Sequence, residues 1–209
     1  MRSAPRVPSE SVPGRVAGWA MSEDRTEAWR RWLVRGLLSL AVLLPAAAIG
    51  MYLLNPLGAN SLDPRQRILG HAPYRMPSMG MSPTLEPGTI VIVRAGAYRD
   101  RGPGRGEIVV FANPDDGNHW LQRVIGLPGE TVSIEDCVLM IDGRALGEDY
   151  VAPGRAVEDY SCRMAPLPVP QGQYLLMGDN RDNSMDGRMM GPIAEDTLVG
   201  RVVRVLHAE

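Results

Sequence analysis

The sequence predicts a mainly β body carried behind one N-terminal transmembrane helix. Three observations lead there. A single run, Gly36 through Leu54, has no charged residue and is about the ~20 apolar positions that cross a bilayer core. From Thr89 onward, short β-branched runs alternate with Gly- and Pro-containing turns. No segment of that later part carries the 3.6-residue apolar period of an amphipathic helix.

Residues 1–31 are polar, with Pro and Ser and no apolar periodicity, and are predicted to be a disordered cytoplasmic tail. Met21 is an alternative start to Met1. Residues 32–54 are the predicted anchor. Arg25, Arg30, Arg31 and Arg35 precede it and no such cluster follows closely, so the positive-inside rule places the N-terminus in the cytoplasm and the body on the periplasmic or extracellular side of the plasma membrane. Trp29, Trp32 and Tyr52 suit the interfaces. Ala46-Ala47-Ala48 is a conceivable cleavage site, but the apolar run continues past it and an uncleaved anchor is predicted. Residues 55–75, with Pro56, Gly58, Asn60 and Pro64, read as a connection to the body, 76–209.

Within the body, strands are predicted at 89–93, 107–111, 120–125, 131–134, 138–141, 173–177 and 198–206, with Asp142-Gly143 as a hairpin turn. The net charge of −2 gives no global field for nucleic acid. Cys137 and Cys162, with no His at ligand spacing, predict no metal site and no cofactor. A disulfide and two separate thiols both remain open for that pair. All 22 basic residues are Arg; the chain has no Lys.

Four stretches in the body stand out: Pro77-Ser78-Met79-Gly80-Met81-Ser82-Pro83-Thr84-Leu85, Arg105 to Phe111, Gln122 to Glu130, and Gly178 to Gly191. In order and wording they resemble the blocks of the type I (leader) signal peptidases, membrane-anchored proteases with a serine nucleophile and a lysine general base. The resemblance implies that family's β fold. It also departs at the chemistry. The nucleophile position is Gly80, the base position is Gln122, and Gly187 stands where the resemblance puts the serine that orients the lysine. Glycine has no nucleophile, and an amide does not titrate and cannot serve as base.

Ser78 and Ser82 flank the empty position as fallback nucleophiles, but no lysine exists to activate either. His71, His119 and His207 are the remaining candidate bases; strand alternation sets His119 opposite Gln122, and a structural role is expected for each. Asp179, Asn180, Arg181, Asp182, Ser184, Asp186 and Arg188 are expected to brace the site through turn hydrogen bonds and Arg–carboxylate pairs.

The resemblance further implies that an extended segment binds along a strand edge, at Met76, Pro77, Ser78 and Val124, with Ile108 and Val110 as pocket wall. The reading is a membrane protein that binds signal peptides or other exported segments without cleaving them, with a secretion or pilus-type assembly partner. The alternative is an active signal peptidase using a replacement nucleophile and base.

Overall fold

The computed structural model describes residues 23–114 and 116–206. Most of the polar tail, the Met21 start and His207 lie outside the described residues. Helix α1 (Glu23–Leu54) carries the apolar run and includes Pro45. Among the described residues it is the one helix long and apolar enough to cross a membrane, over Glu27–Leu54, with an 18-residue stretch of mean hydropathy 2.2. Its apolar side chains are exposed along its length, Leu37 and Leu43 among them, as a lipid-facing helix requires. The chain divides into two compact units at Ala47/Ala48.

The segment read as a connection holds two regular elements. Asp63 caps α2 (Pro64–Leu69) by accepting from Arg65 N–H, Pro64 opens it, and Gly70 ends it in the left-handed region at φ 71°. β1 (His71–Arg75) follows and pairs with β2 (Ile90–Ala95). Pro73 hid this strand in the sequence; β1 is an edge, where a missing N–H is tolerated.

The remaining strands are β3 (Ile108–Ala112), β4 (His119–Gly126), β5 (Thr131–Glu135), β6 (Val138–Ile141), β7 (Arg144–Ala145), β8 (Met164–Pro168), β9 (Gln173–Met177), β10 (Ile193–Ala194) and β11 (Leu198–Leu206). Two further single-turn helices are α3 (Asp159–Cys162) and α4 (Gly187–Met190). A seven-stranded sheet runs β1-β2-β11-β3-β4-β9-β10, and a four-stranded sheet runs β7-β6-β5-β8. The mainly β class expected from the sequence is the one found. Asp142 and Gly143, at φ 49° and 73°, form the expected tight turn between β6 and β7.

The large sheet is covered on both faces. Neighbouring residues such as Val109 and Val110 belong to different apolar clusters, the first with Phe111, Val124 and Leu176, the second with Met81, Leu85, Val91 and Leu121. A third cluster, with Ile125, Val132, Ile134 and Leu175, joins the two sheets.

Cys137, in the β5–β6 turn, is disulfide-bonded to Cys162 at the end of α3. Cys137 N–H also donates to Cys162 O at 3.0 Å. Of the two states the sequence left open, the structure has the bonded one.

Candidate functional site

β4 decides where the site lies. It pairs with β3 from Arg123 back to His119, but with β9 only over Arg123–Gly126. The stretch His119–Gln122 therefore has an open edge. Val124 N–H and C=O both bond toward the β3 side, to Glu107 O and Gly106 N–H at 2.9 and 2.8 Å. Alternation then turns the backbone groups of His119 and Leu121 to the open side.

A cleft of about 380 Å³ runs along that edge. Met76, Pro77, Ser78 and Gly80 form one wall, Asn183, Ser184 and Met185 another, and His119, Trp120, Leu121 and Gln122 the strand side. Gly80 and Gln122, 42 positions apart in sequence, are thus brought to one place.

The Gly80 wall is pinned from the fourth sequence block. Asn180 N–H donates to Gly80 O at 3.1 Å, and Asn180 Nδ2 to Met79 O at 3.2 Å. Gly178 permits this approach, since a Cβ there would stand 2.4 Å from Gly80 O and 2.2 Å from Ser184 Oγ. Asp179 takes a two-pronged bond from Arg123 at 2.8 and 2.6 Å. Arg123 also donates to Gly106 O and lies 4.1 Å over the Tyr150 ring. Arg181 pairs with Glu148 and donates to Gly178 O at 3.0 Å. Asp186 accepts from Gly178 N–H at 3.0 Å and pairs with Arg188 at 2.9 Å. Buried charges are thus matched and hydrogen-bonded rather than isolated.

Asp182 ties this block to the loop before α3, accepting from Val157 and Glu158 N–H at 3.1 Å. Burial acts to raise its pKa, but the Ser161 hydroxyl and those N–H groups outweigh it and hold the carboxyl below its usual range. A lowered folded-state pKa contributes stability above the unfolded value, about 3.9, that is lost as pH falls through the folded one. The melting temperature of the body should therefore drop below about pH 4, and Asp182→Asn should flatten part of that drop; an unchanged profile in the variant would remove Asp182 from the account.

Several expected site residues are placed elsewhere. Val110 and Val124 are fully buried in the core and line no part of the cleft, and Ile108 packs against the cluster that holds Val110. Both faces of the sheet are covered at Val110 and Val124, so these two side chains are core rather than pocket wall. Ser82 is fully buried and donates to Glu86 Oε1 at 2.7 Å, which removes it as a fallback nucleophile. Gly187 is also off the cleft: a Cβ there would meet Leu175 Cδ1 at 2.6 Å and Leu176 O at 2.7 Å. The hydroxyls beside Gly80 are those of Ser184 and Ser78, each 3.7 Å from where a Gly80 Cβ would be.

His119 lines the same cleft as Gln122 despite their opposite parity, because the cleft follows an edge and not one face. Its ring meets Tyr74 edge-on at 5.4 Å. Trp120 and Leu121 had no signal in the sequence, while Asn183 and Met185 fall within the fourth block without being assigned to the lining; the structure brings the four together along the unpaired half of β4. Among the described residues no group of three or more His, Cys, Asp or Glu side chains could hold a metal ion.

Comparison with known proteins shows the family of the chain. The profile of the family described as signal peptidase, peptidase S26, matches residues 46–206. The chain belongs to this family.

Among signal peptidase relatives, a probable signal peptidase I-2 of Synechocystis sp. is 39% identical over 133 residues, covering 60% of this chain and 58% of the relative. Signal peptidase I T of Bacillus subtilis is 37% identical over 134 residues, covering 61% of this chain and 69% of the relative. The chain thus spans less than two thirds of the length of the first. A crystal structure of a signal peptidase I from Enterococcus faecalis is 34% identical, with a TM-score of 0.43, covering 49% of this chain and 98% of that one.

Proposed function

We propose that this member of the signal peptidase family is a membrane-anchored binding protein that holds an extended segment of an exported protein without cleaving it. One observation carries the reading. The cleft is open and braced by buried ion pairs, yet its nucleophile and base positions are Gly80 and Gln122, and the chain has no lysine to replace the base. The open edge of β4 offers the His119 and Leu121 backbone groups to an added strand, which supplies affinity, while alternate side chains of that strand meet the cleft walls. Arg30, Arg31 and Arg35 before the apolar run support a cytoplasmic N-terminus, with the body across the membrane. Signal peptides and a secretion or pilus-type assembly partner are the ligands this reading favours.

The test uses the whole chain in detergent, mixed at near-stoichiometric amounts with a preprotein bearing an Ala-x-Ala site. The expected result is co-elution with the preprotein intact by mass spectrometry. Product at the Ala-x-Ala bond would overturn the reading and establish the active alternative. Ser78→Ala and Ser184→Ala would then identify the nucleophile, since both hydroxyls lie 3.7 Å from the site of a Gly80 Cβ.

A further inference from the structure

Two buried side-chain oxygens among the described residues lack a hydrogen-bond partner, Gln122 Oε1 and Asn180 Oδ1. Asn180 pins the Gly80 carbonyl, and Gln122 lines the same cleft as Gly80. The Gln122 amide is fixed in orientation. Its Nε2 donates to Met185 O at 2.7 Å, and the flipped amide would set two oxygens against each other. The side chain is 3% exposed. It therefore brings to this site one acceptor more than the protein satisfies, and such an atom favours a donor from elsewhere.

Strand geometry decides which donor. Main-chain groups of an added strand pair with the His119 and Leu121 backbone, which faces the open edge. The Gln122 side chain instead stands out of the strand plane, where it neighbours alternate side chains of the bound segment. In the same cleft, Gly80 leaves room for a short side chain, and the three atoms nearest to that space are all oxygens: Asn183 O at 3.5 Å, Ser184 Oγ and Ser78 Oγ at 3.7 Å. No carboxylate lines the cleft. An ammonium would lose its hydration there without a counter-charge, whereas a neutral hydroxyl has little to lose.

We propose that Gln122 makes the cleft selective for a segment bearing a hydroxyl side chain, Ser or Thr, at the residue beside Gly80, with the hydroxyl donating to Gln122 Oε1. This rests on the binding reading given above. The Gln122 amide then reads a ligand at the position where the rest of the site would seat a base.

The experiment is a binding titration of labelled Ala-x-Ala peptides against the full chain in detergent. Ser and 2-aminobutyrate, which match in size but differ in the donor, are placed in turn at each small-residue position. At one position Ser should bind about tenfold tighter than 2-aminobutyrate. The ratio should fall to about one in Gln122→Leu, whose side chain offers no acceptor, and in Gln122→Met, which keeps the length without the amide, as a second variant. Each ratio is read within one variant, so a general loss of affinity does not imitate the effect. Equal binding of Ser and 2-aminobutyrate at every position overturns the hydroxyl selectivity while leaving the binding reading intact. A preference that survives both variants overturns Gln122 as its origin. Binding of no peptide at all, by a chain whose thermal melt is cooperative, overturns the binding reading and this inference with it.

Discussion

Gly80→Ser combined with Gln122→Lys should convert the chain into a protease, while either change alone should not. The two groups act as one unit, nucleophile and base, and removing either member of such a unit costs about as much as removing both, roughly 10⁴- to 10⁶-fold in rate. We expect the double variant to exceed each single one by at least about 10³-fold in product formed at an Ala-x-Ala site, read by mass spectrometry. The structure accommodates both changes. A Cβ on Gly80 meets nothing closer than 3.5 Å, and a lysine at 122 has the Met185 carbonyl as acceptor and a buried setting that lowers an amine's pKa toward neutrality. Position 187 is best left as glycine. Restoring serine there drives a Cβ into Leu176 O, so adding Gly187→Ser to the pair should lower stability by about 1–3 kcal/mol and improve nothing. Equal inactivity of the double variant and the unmodified chain would mean that the cleft walls no longer hold a scissile bond in line.

Arg123→Met should be among the most destabilising single changes in the body. Asp179 is fully buried and depends on Arg123 for both oxygens. Removing one partner leaves a buried charge uncompensated at about 3–5 kcal/mol, which for a body of this size lowers the melting temperature by roughly 10 °C. Arg123→Met with Asp179→Leu should recover much of that loss, because the cost lies in the abandoned charge more than in the pair. A single variant that melts within about 2 °C of the unmodified chain would show that water reaches Asp179 after all.

The sequence made legible those parts governed by local rules. The β-branched runs at β2, β3 and β4, the Asp142-Gly143 turn and the uncharged stretch of α1 each follow from a few adjacent residues. β1 and β8 were missed because Pro73, Pro166 and Pro168 argue against strands, and only their edge positions make prolines tolerable. α2 was missed although Asp63-Pro64 is a helix-opening pair. At the site, wording along the chain located Gly80 and Gln122 but did not reveal that the cleft follows an unpaired half-strand. Hence Val110 and Val124, expected as lining, are core, while Trp120 and Met185 line the cleft. Position 187 shows the same limit: a residue's place in sequence does not tell which way its side chain points, and a Cβ there faces Leu175 and Leu176.

Reduction of the Cys137–Cys162 bond should loosen the cleft wall while leaving the seven-stranded sheet folded. Cys162 ends the loop whose Arg155 O, Val157 N–H, Glu158 N–H and Ser161 Oγ engage residues 181 and 182, immediately before the Asn183–Met185 wall. The seven-stranded sheet contains neither cysteine. A reduced chain can therefore hold its strands while this backing segment lifts away, leaving a folded protein with a slack wall. Oxidising compartments close such bonds and the cytoplasm keeps them open. If the binding reading proposed above holds, reduced chains would hold a segment less well than oxidised ones, and material purified under reducing conditions would show that loss.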